Sequence, residues 1–173
     1  MSNLRETFIN ELRDLYDAEK QITKALPKMA KAAEHEELKQ AFEMHLEETQ
    51  GQIQRLEQVF KIFGETPKGK KCKAMEGLIE EAKELIEDEE GDAALICAAQ
   101  KVEHYEIASY GSLVAWADLL EEDDARELLE ETLSEEEQAD EKLTEIAESS
   151  INAAQSEEEE KEEHTNPRRP SPA

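Results

Sequence analysis

Four stretches of this chain repeat apolar residues at alternating spacings of three and four, and each has polar or acidic residues at its midpoint. The clearest runs Leu95, Ala99, Val102, Glu106, Ser109, Leu113, Trp116. That spacing is the core-facing stripe of a bundle helix. Glu106 stands in it where an apolar side chain is expected, and Glu103 lies one turn away on the same side. A buried ionised carboxylate is costly unless it is paired or bound to a cation. The chain must therefore fold so that its helices surround something that satisfies these acids.

The remaining stripes have the same form. The first helix starts at Ser2 or Asn3, with Asn3 at capping-box distance from Glu6. Its stripe is Leu4, Phe8, Leu12, Leu15, Glu19, Ile22, Leu26, Met29, Ala33, again with an acid, Glu19, at the centre. Pro27 predicts a kink or local break, because it removes a ladder hydrogen bond. The second helix covers about 37–63 on Leu38, Phe42, His45, Thr49, Gln52, Leu56, Val59, Phe63, with Glu48 beside its polar centre and Gly64 as its stop. The fourth long helix, about 123–151, has Glu136 on its stripe, flanked by Glu135 and Asp140. Between the second and third long helices lie a loop at 64–73 and a short amphipathic helix at about 74–89.

Four long helices joined by short, long and short connections predict an all-α four-helix bundle of ferritin-like topology, its long crossover carrying the short extra helix. No alternating run rich in Val, Ile, Thr and Tyr predicts a strand. The bundle should occupy residues 1–152. Residues 153–173 are Glu-rich, then rich in Pro, Arg and Ser, and are expected to form a disordered acidic tail.

The net charge is −25, from 45 acidic and 20 basic residues. This argues against nucleic acid and anionic membrane surfaces as partners and favours attraction of cations. High-salt adaptation, or solvated helix faces plus the tail, would each account for it. No apolar run is long enough to span a membrane. Residues 1–11 are polar and amphipathic, unlike a signal peptide, so a cytosolic (cytoplasmic) location is expected. Cys97, within an apolar stretch, reads as a small core residue, and Cys72 as a spare thiol in a Lys-rich loop.

Shifting the chain by 87 residues aligns its halves: Leu15 with Val102, Glu19 with Glu106, Leu26 with Leu113, Phe42 with Leu129, Glu48 with Glu135, Leu56 with Leu143. Two helical hairpins thus place an acid midway along each of four helices, the geometry in which inward carboxylates hold two metals. The candidate ligands are Glu19, His45, Glu48, Glu103, Glu106, Glu135, Glu136 and Asp140. Carboxylates with at most one imidazole suit two divalent ions, iron first and manganese second. Open positions on them would allow chemistry with dioxygen or peroxide. A structural reading stands beside this one. Some acids fall on apolar stripes by chance in a chain one-quarter acidic, Glu103 and Glu136 could be solvated flanks, and His45 could be a core histidine. Tyr16, Tyr105 and Tyr110 are expected to pack with their hydroxyls on carboxylates. Lys20, His35 and His164 are read as surface residues, and His104 points off the stripe.

At these residues the chain resembles a known family. Tyr16-Asp-Ala-Glu-Lys-Gln21, His45-Leu-Glu-Glu-Thr49, Arg55-Leu-Glu57, Val102-Glu-His-Tyr-Glu-Ile-Ala-Ser-Tyr-Gly111 and Leu133-Ser-Glu-Glu-Glu-Gln-Ala-Asp140 are similar to the YciF-like branch of the ferritin-like superfamily. The resemblance covers about 3–152. It implies a ferritin-like bundle, often a homodimer, associated with bacterial or archaeal stress responses and carrying a dinuclear metal site. The chain departs from ferritins and rubrerythrins in lacking their Glu-x-x-His pairs. Helix two has the reversed order His45-x-x-Glu48, and helix four offers no histidine. It also lacks the Cys-x-x-Cys pairs of a rubredoxin module. The leading expectation is a stress protein handling iron or reactive oxygen, by Fe(II) oxidation or peroxide consumption. The rivals are a non-catalytic bundle with buried acids or a structural metal, and a partner-binding module whose short helix docks a second subunit.

Overall fold

The computed structural model describes residues 3–151. The expected tail, and the boundary after residue 152, lie outside the described residues. The described residues form five α-helices: α1 (Leu4–Ala32), α2 (Glu36–Ile62), α3 (Lys73–Glu87), α4 (Asp92–Leu119) and α5 (Asp123–Ile146). A π-helical turn at Ala147–Ile151 extends α5. No strand occurs among the described residues, and no helix there is long and apolar enough to cross a membrane.

Local chemistry sets the ends of these helices. Asn3 caps α1 in a reciprocal capping box with Glu6. At the end of α2, Gly64 takes φ +69, and the Glu65 and Gly64 N–H groups return to the Phe60 and Lys61 carbonyls, a Schellman closure. Pro27 neither breaks nor ends α1, which continues to Ala32. It lies on the exposed face, so the carbonyl it leaves unbonded, that of Thr23, can be hydrated.

The long helices form a square in which every neighbouring pair is antiparallel. Asp92 at the start of α4 meets the Glu34 and His35 N–H groups just past the end of α1, while Tyr105 further along α4 meets Asp14 in the first half of α1, so α4 runs against α1. Arg55 meets Thr132 and Glu135 across the α2–α5 seam, and Gln100 meets Asp140 and Thr144 across the α4–α5 seam. Helices α2 and α4 are then parallel, and only a long crossover can join them. The expected bundle with a crossover helix is what forms.

The crossover is strapped onto α1. The Lys70 N–H donates to the Arg13 carbonyl, and the Cys72 N–H to Asp17 Oδ2. The chain passes so close that a Cβ on Gly69 would sit 3.1 Å from Asp17 Cβ. The side chain of Asp92 at the start of α4 then accepts from the Glu34 and His35 N–H groups, fixing the α1–α2 corner.

Two sequence expectations are corrected by this arrangement. Cys72 is fully buried rather than a spare loop thiol, because the crossover folds it under α3, where its sulfur accepts from the Met75 N–H. Cys97 is exposed rather than in the core, because Ile96, Ala98 and Ala99 around it turn inward. The apolar side of α3 packs in part on the bundle. Met75 and Ala82 are buried, and Leu78, Ile79 and Ile86 pack against the core.

Candidate metal centre

The midpoints of the four long helices meet at one level. Glu19, Glu106 and Glu136 have no exposed surface, Glu103 is 4% exposed and His45 6%. Ligand atoms of His45, Glu103, Glu106 and Glu136 all lie within 4.8 Å of one another. His45 Nε2 is 3.5 Å from both Glu103 Oε1 and Glu136 Oε2, and its Nδ1 is 3.3 Å from Glu48 Oε2. Glu19 closes the α1 side, and the Tyr110 hydroxyl donates to its Oε1. Buried apolar residues within two turns along the same stripes, Leu15 and Ile22 on α1 and Val102 and Leu113 on α4, close the level above and below.

The electrostatics of this pocket are unbalanced. Burial pushes Glu19 up to about 7 and Glu103 up to about 8. It lifts Glu106 and Glu136 well above the ordinary carboxylate range, and neighbouring charges add to this for Glu106. Burial pulls His45 down, but the hydrogen bond with Glu48 and the charges of Glu136 and Glu19 outweigh it, so the imidazole is raised. Two ionised carboxylates at the 4.8 Å limit repel by roughly 3–4 kcal/mol at an effective dielectric near 20. One imidazolium cannot offset four such acids.

The same residues hold most of the unpartnered buried polar atoms among the described residues. They are Glu19 Oε2, Glu103 Oε2, both oxygens of Glu106, both of Glu136, and His45 Nε2. Natural interiors leave few such groups without cause. A cation is the partner that carboxylate oxygens and one imidazole nitrogen suit, and an oxygen-favouring divalent ion fits this donor set. The cluster is therefore one able to hold a metal ion.

Comparison with known proteins places the chain. The DUF892 model, described as a domain of unknown function, matches residues 3–156. The chain belongs to this family. Protein YciF of Escherichia coli (strain K12) is 54% identical over 157 residues, covering 88% of this chain and 95% of that protein. Its crystal structure, described as that of a stress protein, matches with a TM-score of 0.84, covering 88% and 99% of the two chains. A Rhodopseudomonas palustris protein proposed to be structural shares 48% identity at a TM-score of 0.80, covering 83% and 94%. A Xanthomonas campestris protein at 27% identity matches with a TM-score of 0.72, covering 91% and 99%. The DUF892 assignment agrees with the resemblance to the YciF-like branch.

Within this DUF892 bundle the eight sequence-derived candidates separate into two sets. Glu19, His45, Glu103, Glu106 and Glu136 come together. Glu48 stands at the rim, with its side chain 42% exposed, and touches the cluster only through His45. Glu135 turns into the α2–α5 seam, where Arg55 grips both its oxygens at 2.6 and 2.8 Å and the Gln52 amide donates at 3.1 Å. Asp140 accepts from Gln100 and pairs with His104 at 3.3 Å. All three tyrosine hydroxyls donate to carboxylates: Tyr16 to Glu57, Tyr105 to Asp14, Tyr110 to Glu19. Lys20 lies 4.0 Å above the Tyr16 ring.

Sequence reasoning missed the Arg55 clamp and the Cys72–Tyr105–Asp14 chain. In the latter, the one Tyr105 proton is committed to Asp14, so the thiol donates to the tyrosine oxygen at 3.1 Å. Arg55 had a legible signal: it stands one turn beyond Gln52, at the edge of the stripe. The Cys72 contact had none, since it depends on how the crossover folds back.

Proposed function

We propose that the cluster is a dinuclear metal–carboxylate centre with which this YciF-like stress protein handles iron or reactive oxygen, by Fe(II) oxidation or peroxide consumption. The observation that carries the reading is the convergence of seven unpartnered donor atoms from four helices on one buried point. His45, Glu103, Glu106 and Glu136 would hold one ion. Glu19, which faces Glu106 from α1, would share it to hold the second, with iron favoured and manganese the other fit. Bound metal would supply Lewis acidity and redox capacity. The protein's own part is to fix the carboxylates before the ions arrive. Tyr110 holds Glu19, Glu48 orients His45 through Nδ1, and the apolar layers exclude bulk water. The assembly proposed with this reading is a homodimer, on the family resemblance.

The test is elemental analysis of protein reconstituted anaerobically with Fe(II) or Mn(II), followed by assays of Fe(II) oxidation and peroxide consumption. Stoichiometric metal with turnover supports the centre, and metal well below one ion per chain sinks it. One observation favours a quieter role. Glu19 already has a donor in Tyr110, and the acids can share protons with one another, so a non-catalytic bundle or a purely structural metal is the second reading. Glu19→Ala combined with Glu106→Ala separates the two. Loss of turnover in a protein that stays folded favours chemistry, whereas a stabilised variant of a protein that never turned over favours structure.

A further inference from the structure

The α2–α5 seam is closed by Arg55 at one end and open at the other. There a cavity of about 460 Å³ leads from exposed Glu37, Glu141 and Glu145 inward to His45 and Glu103. Both inner residues are more than nine-tenths buried, and behind them lie unpartnered atoms of the cluster, His45 Nε2 and Glu103 Oε2 among them. Two other cavities among the described residues, beside Lys61 and beside Lys31, are lined by no cluster residue. We infer that this cleft is the entry path of a hydrated divalent cation to the buried centre, with Glu48 as the last carboxylate before the imidazole. The inference rests on the metal-centre reading.

Size, charge and placement all support this path. Six waters of a hexahydrated ion occupy roughly 180 Å³, which the cleft accommodates. The mouth is acidic, and its one lysine, Lys142, is 3.6 Å from Glu145 and partly neutralised by it. A cleft lined by one sign of charge concentrates counter-ions and speeds their arrival. Glu135 adds little to that field, because its charge is taken up by Arg55. Glu48 reaches both environments: its side chain is 42% exposed while its Oε2 touches His45 Nδ1. A cation shedding water at Glu48 is then one imidazole away from the buried carboxylates.

The test is the rate at which apo-protein takes up Mn(II), measured by rapid mixing against a fluorescent chelator, with the equilibrium stoichiometry measured in parallel. Combined Glu37→Gln, Glu141→Gln and Glu145→Gln should slow uptake by about 5–10-fold at low ionic strength. The gap should close near 0.5 M salt, and the stoichiometry should stay that of the wild type. The equal-charge control Glu76→Gln, Glu80→Gln and Glu84→Gln, on α3 away from the cleft, should stay within about twofold. Lys142→Gln should accelerate uptake, Ala139→Trp should slow it at every salt concentration, and Glu48→Gln should slow it more than Glu141→Gln alone. Equal rates in the mouth and control triples, at unchanged stoichiometry, would overturn the path and leave the centre standing. No Mn(II) uptake by the wild type would overturn the centre and the path with it.

Discussion

The two helical hairpins, α1–α2 and α4–α5, occupy matched positions 87 residues apart but supply the centre unequally. The second contributes three buried carboxylates, Glu103, Glu106 and Glu136. The first contributes one carboxylate, Glu19, and one imidazole, His45. Where the second hairpin has Glu136, the first has Thr49, whose hydroxyl bonds back to the His45 carbonyl at 2.7 Å. Where the second has Glu103, the first has Tyr16, buried against Phe60 with its hydroxyl donating to Glu57. Glu48 and Glu135 also match in sequence and part in space, one at the mouth of the cleft and one under Arg55. The repeat sets the depth of each slot, and the residue in the slot decides whether it serves the site. One hairpin is built as an acid donor and the other as its polar complement.

The largest expected effect tests that division directly. Glu106→Ala removes a carboxylate that both ions would share. It should lower affinity for Mn(II) or Fe(II) by at least about 100-fold, the upper end of what losing even an outer partner does at metal sites. Glu135→Gln, one position from Glu136 but in the seam, should change affinity by less than about threefold. Calorimetric titration of both variants reads the contrast. Similar losses in the two would mean that the seam, not the midpoint level, holds the metal.

Much of this was legible in the sequence, and the reason is periodicity. A 3.6-residue repeat gives the angle of a side chain around its helix, so Glu19 and Glu106 were marked as inward by their stripes, and both are fully buried. Angle alone does not settle neighbours near the edge of a stripe. Glu136 lies on its stripe and is fully buried, whereas its neighbour Glu135, at the edge, is captured by Arg55 on a different helix. Glu103 was open to a solvated reading for the same reason, and it is buried because α2 brings His45 against it. The cleft was not legible at all. It is a gap between α2 and α5, and no pattern within either helix encodes it.

The next effect in size separates the hairpins by pH. Glu19 and Glu103 titrate near 7 and 8 in the folded protein, above their ordinary value of 4.5, and Glu106 and Glu136 are raised as well. The folded state therefore keeps protons that the unfolded chain releases. This contribution is complete below about 4.5 and is lost as pH rises through 7 and 8. His45, also raised, acts in the same direction. Apo-protein should lose about 5–10 °C in Tm between pH 5 and 8.5. Mn(II)-saturated protein should show little or no such loss, because a bound cation replaces the protons. Glu103→Gln with Glu136→Gln should remove more of the slope than Glu19→Gln, in keeping with the unequal supply. Scanning calorimetry across the pH series decides it, and an apo Tm that climbs through this window would contradict the arrangement.

The smallest effect comes from making the hairpins alike. Thr49→Glu gives α2 an acid at the depth of Glu136, on a side chain with no exposed surface. Without metal, one more buried carboxylate beside four raised ones should cost about 1–3 kcal/mol of stability. With metal, the same carboxylate would add a donor from α2 to the one imidazole that helix supplies, and it should tighten the weaker of two Mn(II) binding steps by about tenfold. Size confounds this experiment, since a glutamate is larger than a threonine and overpacking is itself destabilising. Thr49→Gln separates the two, because it adds the same volume without the charge. It should destabilise the apo-protein and leave Mn(II) affinity where it was. If the glutamine variant gains as much affinity as the glutamate, the gain is a packing effect. If neither gains, the polar complement on α2 is not a vacant ligand slot, and the asymmetry between the hairpins has a purpose other than metal supply.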